Sequence, residues 1–86
     1  MSINDLKTRL NSEKLILGAI EVEIGRKCSS PNIIGIFEEN GVWSVYDTND
    51  RGGIVILDKG SENDMADALY RRILKIDKKN RKKMGI

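Results

Sequence analysis

The dipeptide Asn40-Gly41 constrains the fold of this chain more than any other feature. It lies between two β-prone runs, Ile33 to Glu38 and Val42 to Tyr46. A two-residue type I′ turn needs positive φ at both central positions, and Asn-Gly is the pair that tolerates this best. The two runs are therefore expected to pair as an antiparallel hairpin. Within it Trp43 and Val45 share one face, and Ser44 and Tyr46 share the other.

A lone hairpin is marginal in water, so further strands and a covering layer are needed. Ile20-Glu21-Val22-Glu23-Ile24 alternates strictly, with aliphatic side chains on one face and carboxylates on the other, which predicts a half-buried strand. Gly53 to Leu57 is apolar at both parities and predicts a strand covered on both faces. Gly25 to Asn32, which holds the only proline, and the polar stretch Asp47 to Gly53 read as loops.

Helices are expected at both ends. Ser2 with Asp5 makes a capping-box pattern, and Ile3, Leu6 and Leu10 form one helical stripe. Asn11 and Ser12 weaken that stripe, so the helix should end between Asn11 and Lys14. Ser61 caps the second helix, whose apolar positions are Met65, Ala66, Leu69, Tyr70, Ile73 and Ile76. No apolar stripe continues past Ile76, and the chain is expected to fray there. The predicted fold is α+β in the order α-β-β-β-β-α. Its small antiparallel sheet has about four strands, with both helices packed on one face. Residues 1–76 form the single domain, and residues 77–86 form a basic C-terminal tail.

Charge divides six residues earlier, after Tyr70. Residues 1–70 hold seven Lys/Arg and twelve Asp/Glu, whereas residues 71–86 hold eight Lys/Arg and one Asp. An acidic body therefore carries a basic end, an asymmetry that bears on association and not on fold. The start of the chain has no basic-then-apolar signal pattern, and no apolar run is long enough to cross a bilayer. A cytoplasmic protein with no membrane partner is expected.

The residue inventory leaves catalysis little to work with. Histidine is absent, which removes the commonest general base and a common metal ligand. The single cysteine, Cys28, has neither a histidine nor a second cysteine to work with, and reads as an incidental thiol. Glu21 and Glu23 on one strand face, and Glu38 and Glu39 before the turn, read as solvated carboxylates. A calcium loop starting at Asp47 would place Gly52 at its sixth position but Asp58, not Glu, at its twelfth. No cofactor or metal is expected, and the chain is read as a binding protein and not an enzyme. Lys78, Lys79, Arg81, Lys82 and Lys83 are the candidate nucleic-acid contacts, although no aromatic residues interleave with them for stacking.

One pattern runs across residues 36–74. It comprises Asn40-Gly41-Val42-Trp43-Ser44-Val45-Tyr46, Asp50-Arg51-Gly52, an apolar strand, and Ser61-Glu62 with Met65-Ala66 opening a helix. This resembles small immunity proteins of bacterial polymorphic toxin systems. The resemblance implies a cytoplasmic inhibitor that binds and neutralises a cognate toxin. The edge strands expected of so small a sheet leave a monomer or a homodimer open. The contact residues it suggests are Glu38, Glu39, Trp43, Tyr46, Asp50 and Arg51, which include the usual hot-spot types. Trp43 also fits a core position on its alternating strand. The alternative is a small nucleic-acid-associated or regulatory protein that uses the basic end.

Overall fold

Local signals settle the element boundaries in the computed structural model, which describes Met1 to Gly85; Ile86, the last residue of the basic segment, lies outside the described residues. Helix α1 spans Ile3–Ser12. Ser2 Oγ accepts from the Asp5 N–H while the Asp5 side chain accepts from the Ser2 N–H, which closes the predicted capping box. Strands β1 (Glu21–Ile24), β2 (Ile33–Glu39), β3 (Val42–Thr48) and β4 (Ile54–Gly60) follow, and then α2 (Glu62–Lys83). Ser61 caps α2 by accepting from the Asp64 N–H. Asn40 and Gly41 both take positive φ, 54° and 79°, and turn β2 into β3 as their dipeptide predicts.

The four strands lie in the order β1-β2-β3-β4. β2–β3 and β3–β4 are antiparallel, with a register shift at Val45/Tyr46. β1 departs from the all-antiparallel expectation and runs parallel to β2, pairing Glu21 with Ile33 and Ile24 with Ile36. The sheet is therefore mixed. Parallel neighbours usually need a long crossover. Here β1 is only about 13 Å long by strand rise, and the eight residues from Gly25 to Asn32 reach up to about 26 Å. A plain loop is enough to bring the chain back to the start of β2.

Both helices pack on one face of the sheet. Leu6 of α1 and Met65, Ala66, Leu69 and Ile73 of α2 join Ile34, Ile36 and Val45 in the main core. Val22 and Ile24 of β1 pack at its margin, so the carboxylates of Glu21 and Glu23 fall on the opposite face. Gly35 lies where β1, β2 and Tyr46 crowd together. A Cβ there would come within 2.6 Å of both the Glu23 carbonyl and the Tyr46 ring.

α2 does not fray at Ile76. It runs on through Lys83, held by polar contacts in place of an apolar stripe. The Asp77 carboxylate accepts from the Ile16 N–H at 2.7 Å and from Arg81 at 2.8 Å. Asn80 donates to the Ile16 carbonyl, and Arg81 donates to that of Lys14. The last turns of α2 thus clamp the irregular segment between α1 and β1. The Tyr70 hydroxyl donates to Glu13, and Arg9 stacks over the Tyr70 ring, which ties the end of α1 to α2.

The clamp predicts a pH dependence. The Ile16 N–H, with Arg81 adding to it, holds the Asp77 carboxyl below its ordinary range despite partial burial. Its stabilisation is complete above the unfolded aspartate value of about 3.9 and is lost as pH falls through the lower folded value. The urea midpoint should therefore drop below about pH 4. Asp77→Asn should lower the midpoint at pH 7 and flatten the acid limb, as read from urea titrations between pH 2 and 7.

Candidate functional site

Among the described residues, no helix or strand lies over the face of the sheet away from the helices. Part of it is closed by the β1–β2 loop. Tyr46 is fully buried there, with Ile33 and Phe37 beside it and Cys28 packed above. Its hydroxyl donates to the Arg26 carbonyl at 2.8 Å and accepts from the Cys28 N–H at 2.9 Å. Burial pushes the phenol above its ordinary pKa, and the Cys28 N–H pulls the other way. Thr48 Oγ1 does similar work further along, accepting from the Ile33 N–H and donating to the Ser30 carbonyl. Two side chains of β3 therefore fasten the loop to the sheet.

The expected contact residues do not form one surface. Tyr46 is an interior anchor and does not reach solvent. Trp43 is half-buried against the main core, with exposed Glu38 as its cross-strand neighbour. Glu39 is exposed at the hairpin end and pairs with Lys27 at 3.2 Å. Asp50 and Arg51 sit exposed in the β3–β4 turn, where Asn49 Oδ1 accepts from the Arg51 and Gly53 N–H groups. That turn and the hairpin turn lie at opposite ends of β3, roughly 20 Å apart by strand rise.

The loop leaves the β4 side of this face open. A groove of about 570 Å³ runs there over Phe37 and Ser44, with Val42, Ile54 and Ile56 on its walls and Lys27 and Lys59 at its rim. Val42, Ile54 and Ile56 are 44%, 37% and 41% exposed, a high value for three neighbouring aliphatic residues. β4 was expected to be covered on both faces. It is instead the free edge of the sheet, and Val55 is also exposed. Lys27 lies 5.0 Å from the centre of the Phe37 ring.

A second groove, of about 560 Å³, lies on the helix face of β4. Its floor includes Ile34, Leu57 and Ala68. Arg71, Arg72 and Lys75 of α2 form one wall, and Asp47 and Asp58 also line it. None of these three cations makes an ion pair among the described residues.

Of the candidate nucleic-acid contacts, Arg81 is occupied by Asp77 and the Lys14 carbonyl, whereas Lys78, Lys79, Lys82 and Lys83 are exposed along the outer face of α2. Among the described residues, no three His, Cys, Asp or Glu side chains cluster to hold a metal ion, and no helix is long and apolar enough to cross a membrane. Comparison with protein-family models, curated proteins and solved structures gave no match.

In the sequence Val42 opens a hairpin strand, and Ile54 and Ile56 belong to an aliphatic run that reads as core. The signal available was Asp58-Lys59 directly after it, charge of the kind that marks an edge strand.

Tyr46→Phe tests the loop anchor. It leaves the part-buried Cys28 N–H and Arg26 carbonyl without their partner and should cost about 1 kcal/mol. Chemical denaturation gives the loss, and faster amide exchange at Cys28 should accompany it.

Proposed function

We propose that this chain acts by binding a partner protein through the open face of its sheet, as an inhibitor of the toxin-neutralising kind that its hairpin resembles. The observation that carries this reading is the apolar strip of Val42, Ile54 and Ile56 beside a free strand edge. Uncovered aliphatic side chains that meet in one groove cost solvation free energy, and their usual meaning in a folded domain is an interaction surface. The rim supplies charge of both signs, as interface rims do. Glu39 at the hairpin extends that surface, whereas Asp50 and Arg51 at the far turn would be engaged only by a partner that spans the sheet.

The toxin half of the proposal is tested by co-expression with toxin-like proteins encoded beside the chain. A stable complex and restored growth are expected. The double variant Val42→Glu, Ile56→Glu should weaken the complex by about a hundredfold, a hot-spot-sized loss, with its melting temperature little changed. If no adjacent toxin is bound or neutralised, the inhibitor assignment is wrong.

A second reading uses α2. Seven exposed cations, from Arg71 to Lys83, lie on one long helix with no ion-pair partner among the described residues. Such a face suits a phosphate backbone. Because Asp77, Asn80 and Arg81 hold the fold together, deleting the segment would confuse unfolding with lost binding. Replacing Lys78, Lys79, Lys82 and Lys83 with Gln avoids this. If α2 binds nucleic acid, anisotropy of a labelled duplex should show affinity that falls steeply between 50 and 200 mM salt, and the four-Gln variant should have a shallower salt slope, by up to about four units.

A further inference from the structure

The ladder geometry of β4 shows which of its backbone groups are free. The two-residue turn at Asn40-Gly41 makes Glu39–Val42 a hydrogen-bonded pair, so the even-numbered residues of β3 face β2 and the odd-numbered ones face β4. The Asn49 N–H donates to the Gly53 carbonyl, which agrees with that phase. Asp47–Val55 is then a hydrogen-bonded pair, and the N–H and C=O groups of Ile54 and Ile56 point away from β3, to the unoccupied edge. On one side of that edge are the aliphatic side chains of Ile54 and Ile56. On the other side are Arg71, Arg72 and Lys75.

We propose that the outer edge of β4 accepts an extended segment of a partner protein as a fifth strand, one face of it aliphatic and the other carrying carboxylates. This rests on the protein-binding reading above and specifies the chemistry of the partner. The main-chain groups of Ile54 and Ile56 supply the pairing, as in other strand additions. The aliphatic face of the added strand continues the Ile54–Ile56 strip. Its carboxylates meet the three cations of α2, none of which has an ion-pair partner within the described chain.

Charge decides against a second copy as the occupant. Two β4 strands paired antiparallel about a two-fold axis place both α2 helices on the same face of the joined sheet. α2 packs over β3 and β4, so Arg71, Arg72 and Lys75 of the two copies would then face one another. Like charges so placed disfavour that pairing. A nucleic acid is disfavoured as well, because a sugar–phosphate strand has no main-chain donors and acceptors at strand spacing to pair with Ile54 and Ile56, and no aliphatic face to lie along their side chains.

The probe is a blocked, fluorescein-labelled peptide of alternating valine and glutamate, compared with its valine–lysine counterpart and with a labelled oligonucleotide. The full chain should bind the glutamate peptide at least about tenfold more tightly than the lysine peptide, and Arg71→Glu with Lys75→Glu should erase the difference, with circular dichroism unchanged. Amide exchange should slow at Ile54 and Ile56 and not along β1. Equal binding of both peptides, protection elsewhere, binding of the oligonucleotide alone, or a dimer by light scattering at micromolar concentration each overturns the proposal. Val42→Glu separates it from the broader reading. That change should weaken the complex with a protein partner on the open face and leave peptide binding intact. Loss of peptide binding with an intact open-face complex removes only the edge proposal.

Discussion

Two helices on one side of a four-stranded sheet leave the other side to be managed by a loop. The hydroxyl of Tyr46 is the interaction that makes this work. It accepts a hydrogen bond from the Cys28 N–H and donates one to the Arg26 carbonyl, so the β1–β2 loop is held over the sheet at its midpoint. Phe37 and Ile33 become interior only because that loop is there. The parallel return of the chain into β2 crosses through the same loop. Gly35 is required beneath it because the Tyr46 ring and the Glu23 carbonyl fill the space where a side chain would go.

Much of this fold is legible from local chemistry. Ser2 with Asp5, Ser61 with Asp64 and Asn40 with Gly41 each specify their backbone within a few residues, and all three appear where expected. What escaped the sequence depends on distant residues. An eight-residue linker permits either strand direction, so nothing near β1 reveals its parallel pairing. Tyr46 is a contact residue by the resemblance, and a loop arriving from residues 26–28 makes it interior instead. The end of α2 is held by hydrogen bonds to Ile16 and Lys14, and such contacts leave no periodic pattern. The Ile54–Leu57 run shows the same limit from the other side. Aliphatic residues at both parities describe a central strand and an exposed edge equally well.

The candidate surfaces follow from that partial cover. The loop covers Tyr46 and meets the β3–β4 turn at Gly52, whereas strand β4 itself is left with an open face, an unpaired edge and a cationic wall above it. Each alone is common in small domains. Together on one strand they give a partner main-chain pairing, apolar contact and charge at once. The basic end of the chain also changes meaning. Part of it, Asp77, Asn80 and Arg81, is structural, and the cations that remain free begin earlier, at Arg71.

The clamp at Ile16 joins residues 61 positions apart in sequence. It has a consequence for how the chain is made. Synthesis proceeds from the N-terminus, so α1, the sheet and the irregular segment all emerge before the helix that covers and clamps them. Until Met65 to Ile73 arrive, the main core lacks its α2 cover, and until Asp77 and Asn80 arrive, the segment at Ile16 lacks its clamp. The core can therefore close only once α2 is available, and the segment at Ile16 is held only once the last turns of α2 have docked.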